Sequence, residues 1–132
     1  MCYLSEKSTK KTITGYKVAF KKDKKYYSPA TGIEYKVGKV PKPERTETHR
    51  IGHYFIINVL LSSMFNGYFY GKTAVFLSEE AAQELYDNIY LSYPNNYKPV
   101  ILKMTVSKNL YKGEYDMHDI IAGEHINKIV EL

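Results

Sequence analysis

The chain has 132 residues, 44% of them hydrophobic and 25% charged, which fits one domain with a real core and excludes wholesale disorder. One cysteine, Cys2, excludes an internal disulfide framework and a cysteine-based zinc site, and it suits an intracellular, reducing setting. The formal charge of +5 is unevenly spread: thirteen Lys or Arg against five Asp or Glu in residues 1–50 leave +8, and six against nine in residues 51–132 leave −3. Such an asymmetry points to an anionic partner on one face.

Residues 1–11 are polar and basic with no apolar run, so they read as a flexible arm without a targeting segment, and residues 12–132 as a single globular domain. Ile13, Tyr16, Val18 and Phe20 give a half-alternating strand, Lys21 to Lys24 a charged turn, and Tyr26 and Tyr27 a return strand. Ser28-Pro29-Ala30-Thr31-Gly32 is a turn, after which Ile33 to Val40 alternates as a third strand. Together these predict an N-terminal antiparallel β-meander. Two prolines and no apolar residue make 41–48 an exposed connection. In 53–66 the polar residues Asn58, Ser62 and Asn66 recur every four residues, which favours a mostly buried helix over a strand, with Asn66-Gly67 to end it. The longest apolar stretch, 54–65, is too short to span a membrane.

Thr73 to Leu77 reads as a buried strand, Ser78 as a helix N-cap, and Glu79 and Glu80 as first-turn acids that complement the helix dipole. Ala82, Leu85, Tyr86 and Ile89 form the apolar face of that helix. Val100, Leu102, Met104 and Val106 alternate as one strongly apolar strand face, and Ile126 to Leu132 predicts a closing strand. The fold class expected is α+β, with the meander and one or two helices packed on a mixed or antiparallel sheet.

Catalytic motifs do not assemble. Gly71-Lys72-Thr73 has Asn66 where a phosphate loop needs its first glycine, and a strand follows it rather than a helix. His49 with His53, and Asp116 with His118 and Asp119, offer metal-ligand types but no converging set, so no metal or cofactor is expected. Glu114, Asp116, Asp119 and Glu124 read as solvated turn acids, and no serine sits in a nucleophile turn. What remains is a basic stretch interleaved with tyrosine. Lys24, Lys25, Tyr26, Tyr27, Tyr35, Lys36, Lys39, Arg45 and Arg50 combine cations that neutralise phosphate with rings that stack on bases, the composition of a nucleotide or nucleic-acid site.

Gly15-Tyr16-Lys17-Val18, Tyr27-Ser28-Pro29, Thr31-Gly32 and Tyr35-Lys36-Val37-Gly38-Lys39 resemble small uncharacterised proteins of phages and prophages. Ala74 to Ala81, Val100 to Val106 and Gly123 to Leu132 extend the likeness over residues 14–132. The resemblance implies a phage accessory protein in the host cytoplasm that antagonises host defence. A fainter likeness is to ADP-ribosyltransferase domains, through Val75-Phe76-Leu77, Ser78 and the closing stretch 121–132. There Tyr16-Lys17-Val18 stands where many such enzymes carry Arg or His, and Glu114 or Glu124 would serve as the expected Glu.

The function expected is therefore a non-enzymatic binder of an anionic ligand, a nucleotide signal or nucleic acid, or a blocker of a host immune complex. An NAD-using enzyme or a protein-only interaction module is the alternative. No membrane partner is expected, and self-association into a homo-oligomer is allowed.

Overall fold

The computed structural model describes residues 2–28, 34–40, 71–89, 97–115 and 117–132. The strands there are β1 (Cys2–Lys7), β2 (Thr12–Lys22), β3 (Lys25–Tyr27), β4 (Glu34–Tyr35), β5 (Gly38–Lys39), β6 (Thr73–Phe76), β7 (Lys98–Ser107), β8 (Tyr111–Tyr115), β9 (His118–Gly123) and β10 (His125–Glu131). One helix, α1 (Glu79–Ile89), lies between β6 and β7.

Every pairing is antiparallel, in the order β1-β8-β9-β6-β2-β7-β10-β5, with β3 added to β2 and β4 to β3. The spine is the ladder from Thr12↔Ser107 to Lys21↔Lys98, which pairs nearly the whole of β2 with β7. From it the pairings run in a circuit: β2 to β3, β3 to β4, β5 to β10, β10 to β7, and β7 back to β2. Only Lys36 and Val37 separate β4 from β5, so chain continuity closes the ring. The β3–β4 corner is drawn over the ring's inner face. There the Tyr26 hydroxyl donates to Glu131 Oε1 at 2.8 Å, and Lys21 Nζ lies 2.8 Å from the same oxygen.

Leu102, Met104, Val106, Ala19, Tyr35 and Ile126 fill the inner face. Val18, Phe20, Ala74, Phe76 and Ile120 lie on the outer face, where α1 covers them with Ala81 and Ala82. Consecutive residues of β2, β6 and β9 are therefore buried on both sides. At about 1.5–3 kcal/mol for each fully buried large apolar side chain, the two faces outweigh any local preference in setting the fold.

Two contacts show how β6 joins β2. A Cβ on Gly15 would meet the Phe76 carbonyl oxygen at 2.5 Å and Val75 Cγ2 at 2.6 Å, so glycine allows the close approach. The β2–β6 ladder holds a single pair, Tyr16↔Phe76. Beside it the Lys17 ammonium, 8% exposed, donates to the Ala74 carbonyl at 2.6 Å and lies 5.3 Å from the centre of the Tyr35 ring.

The expected α+β fold is corrected. Among the described residues the protein is mostly antiparallel β-sheet with one eleven-residue helix, a β-rich fold rather than an α+β fold of a meander and one or two helices packed on a mixed or antiparallel sheet. Curling of the sheet buries its inner face, which leaves only part of the outer face for a helix to cover. The expected strand from Ile33 to Val40 is broken into β4 and β5. Tyr35 turns inward while Val37 is 62% exposed, and Gly38 takes a φ of +131°. Residues 1–11, expected as an arm, contain β1, paired with β8. The helix expected within 53–66 lies outside the described residues.

Candidate anion-binding site

The loop that joins β1 to β2 and the turn that joins β7 to β8 meet at one end of the sheet. The Ser8 amide donates to the Leu110 carbonyl at 2.7 Å, and the Lys10 amide donates to the Ser8 hydroxyl oxygen at 3.2 Å. Lys108 and Asn109 both carry positive φ, 68° and 51°, as a mirror-image turn demands. That turn is held from the other side: the Glu124 amide donates to the Lys108 carbonyl at 3.0 Å, and Asn109 Nδ2 donates to Glu124 Oε2 at 2.9 Å.

Between loop and turn lies an open depression of about 660 Å³. Lys7, Lys10 and Lys11 line it from the loop and Lys108 from the turn, together with Ser107 and Asn109. No Asp or Glu lines it, and none of these four lysines makes an ion pair among the described residues. Glu124, the neighbouring carboxylate, is engaged by Asn109, with Lys72 Nζ 4.0 Å from its other oxygen. A phosphate charge 4 Å from one ammonium gains about 1 kcal/mol in water and about 4 kcal/mol at an effective dielectric of 20. One surface lysine therefore holds little, whereas four around a concavity make a usable anion site.

The residues expected to bind are spread over the molecule. Lys24 and Lys25 lie exposed at the β2–β3 hairpin, where Asp23 and Lys24 have φ of 52° and 65°. The Tyr26 hydroxyl is taken by Glu131, and Tyr27 packs edge-on to Tyr97 with ring centres 6.0 Å apart. Tyr35 is in the core, and Lys36 is exposed between β4 and β5. Lys39 pairs with His125, which pairs with Ser107, so it belongs to the same end as the depression. Arg45 and Arg50 lie outside the described residues.

At the hairpin end Lys21 and Lys22 are engaged by neighbours, whereas Lys24 and Lys25 are exposed. The Lys21 and Tyr26 hydrogen bonds hold the Glu131 carboxyl below the usual carboxylate range, and the bond to Glu131 raises both the Lys21 ammonium and the Tyr26 phenol. Lys22 Nζ lies 5.1 Å from the centre of the Tyr97 ring.

The sequence reading passed over Lys7, Lys10, Lys11 and Lys108. Its available signal was the run Lys7-Ser8-Thr9-Lys10-Lys11, small hydroxyls flanked by cations, set aside because it fell in the segment read as a flexible arm.

The other candidate chemistries stay apart. Gly71 and Lys72 lead into β6, a strand, so the helix N-terminus that a phosphate loop requires does not follow them. His118 Nε2 lies 2.6 Å from Glu84 Oε2, and no group of three or more His, Cys, Asp or Glu side chains converges among the described residues. Asp116, His49 and His53 lie outside those residues. No described helix is long and apolar enough to cross a membrane. Comparison with known proteins finds no matching family model, no matching curated protein and no matching solved structure.

Proposed function

We propose that this protein binds a phosphate-bearing ligand, a nucleotide or a nucleic acid, in the lysine-walled depression, and that it holds the ligand without transforming it. One observation carries the reading. Lys7, Lys10, Lys11 and Lys108 surround a concavity that no carboxylate lines among the described residues. Positive charge kept only for solubility has no need of a concavity, and lysines placed for stability would be paired, as Lys21 is with Glu131. The likeness to phage accessory proteins supplies the setting, in which sequestering such a ligand would antagonise host defence.

Calorimetric titration with thymidine triphosphate over a salt series tests the reading. Binding that weakens steadily with salt is expected, because phosphate contacts release counterions. Absent or salt-independent binding would overturn it. Phosphorus NMR of the same mixture should show the triphosphate intact, and release of phosphate would remove the non-catalytic part.

A further inference from the structure

Ser107, which lines the depression, lies two residues along β7 from a second surface. Register places Thr14, Thr105 and Lys128 in one row across β2, β7 and β10, and Tyr16, Lys103 and Val130 in the next. Paired residues share a face, and the Thr14 and Thr105 hydroxyl oxygens are 2.9 Å apart on it. Thr14, Lys103, Lys128 and Val130 are exposed, and Tyr16 and Thr105 half-buried, so this part of the outer face lies open. Neither row holds a carboxylate.

A polar link joins this face to the depression. The hydroxyl of Ser107, a residue that lines the depression, donates to Asn127 Oδ1 at 2.8 Å, and His125 Nδ1 lies 2.7 Å from that oxygen. Asn127 sits at an irregularity of the β10–β7 register, between Ile126 and Lys128, the kind of bulge that re-aims side chains. At the other end the same face runs under α1, whose Glu79, Glu80, Glu84 and Asp87 are exposed. A polyanion is thus attracted at the depression end and repelled at the helix end.

We propose, resting on the phosphate-binding reading above, that the ligand is a single-stranded polynucleotide running from the depression across the open face of β2, β7 and β10. Lys103 and Lys128 contact successive phosphates, being diagonal cross-strand neighbours at a spacing of about 7–8 Å. The half-buried Tyr16, packed at the edge of the outer-face core, offers the uncovered part of its ring for stacking, and the hydroxyls of Thr14 and Thr105 contact backbone or base edges. A duplex is disfavoured, since the face presents no element that enters a groove, whereas a single strand offers its bases to an aromatic ring. The face and depression together suit about four nucleotides, the low end of single-strand sites.

Fluorescence anisotropy with labelled octathymidylate, octauridylate and a DNA duplex of equal length, alongside thymidine triphosphate as competitor, tests this. Both single strands should bind about tenfold or more tighter than the triphosphate and the duplex. Lys103→Glu/Lys128→Glu should weaken the single strands by about tenfold, lower the salt slope by about 1.4, and leave the triphosphate unchanged. Lys103→Gln/Lys128→Gln should act in the same direction and serves if the charge-reversed protein does not fold. Triphosphate binding with no preference for single strands, a preference for duplex, or unaltered single-strand affinity in both variants would overturn this inference alone. Loss of every ligand, triphosphate included, would remove the phosphate-binding reading with it.

Discussion

At its C-terminal end β2 delivers Lys21 to Glu131 and Lys22 to the Tyr97 ring, while at its N-terminal end it begins beside Lys10 and Lys11 and faces Lys108 across a depression. The strand is eleven residues long, so the two ends lie ~33 Å apart. Both ends are lysine-rich, and among the described residues it is the N-terminal one that gathers its lysines around a cavity lined by no carboxylate. Composition alone does not separate the two. What separates them is the partner that topology supplies: β10 runs antiparallel to β7 and carries Glu131 to the hairpin end, whereas the turn that follows β7 brings another lysine to the depression.

The largest expected effect comes from disturbing the depression through its backbone. A Cβ on Gly123 would meet Leu110 Cδ2 at 2.7 Å and the Ser107 carbonyl oxygen at 2.9 Å, and both residues line the cavity. Gly123→Ala should cost about 1–3 kcal/mol in urea denaturation and weaken triphosphate binding at the same time. Retention of both stability and affinity would show that these walls tolerate movement.

Charge reversal compares the two ends directly. Lys10→Glu/Lys108→Glu should lower triphosphate affinity about tenfold or more, or about 1.4 kcal/mol, in calorimetry. Lys24→Glu/Lys25→Glu should change it less than about twofold, because the hairpin lysines lie a strand's length away. The opposite ranking would move the site to the Tyr26 side.

The smallest effect sharpens the account of the hairpin end. Glu131 has a lowered folded-state pKa, so its contribution to stability is present above the usual carboxylate value of 4.5 and fades as pH falls through the lower folded value. Lys21 and Tyr26 are raised, so their contribution is present below their unfolded values and is lost as pH rises through the folded ones. Melting temperatures of the parent protein and Glu131→Gln should therefore differ slightly at neutral pH and converge in acid, with triphosphate affinity equal in both. Persistence of the difference in strong acid would mean that Glu131 acts through packing rather than charge.

Much of the local structure was legible. The Ser78 hydroxyl oxygen accepts from the Ala81 amide at 3.2 Å, the N-cap geometry that Ser-Glu-Glu predicts. Alternation in β7 buries Val100, Leu102, Met104 and Val106 as expected. Tertiary closure was not legible, because it depends on pairings between distant segments such as Gly38 with Ile126. Lys17 illustrates the limit. In sequence it is one more exposed cation, and only the divergence of β6 from β2 exposes the Ala74 carbonyl that its ammonium meets. The depression escaped for the same reason: Lys7, Lys10 and Lys11 are separated from Lys108 by about a hundred residues, and no periodicity links them. Tyr35 erred in the other direction, since its place beside Lys36 and Lys39 suggested a ligand-facing ring and the ring closure placed it in the core.

Residue-resolved NMR during titration with thymidine triphosphate tests the central claim most directly. The amides of Lys10, Lys11, Lys108 and Asn109 should shift together in a saturable manner, while those of Lys24, Lys25 and Tyr26 stay in place. Saturable shifts confined to the hairpin, or none at either end, would contradict it.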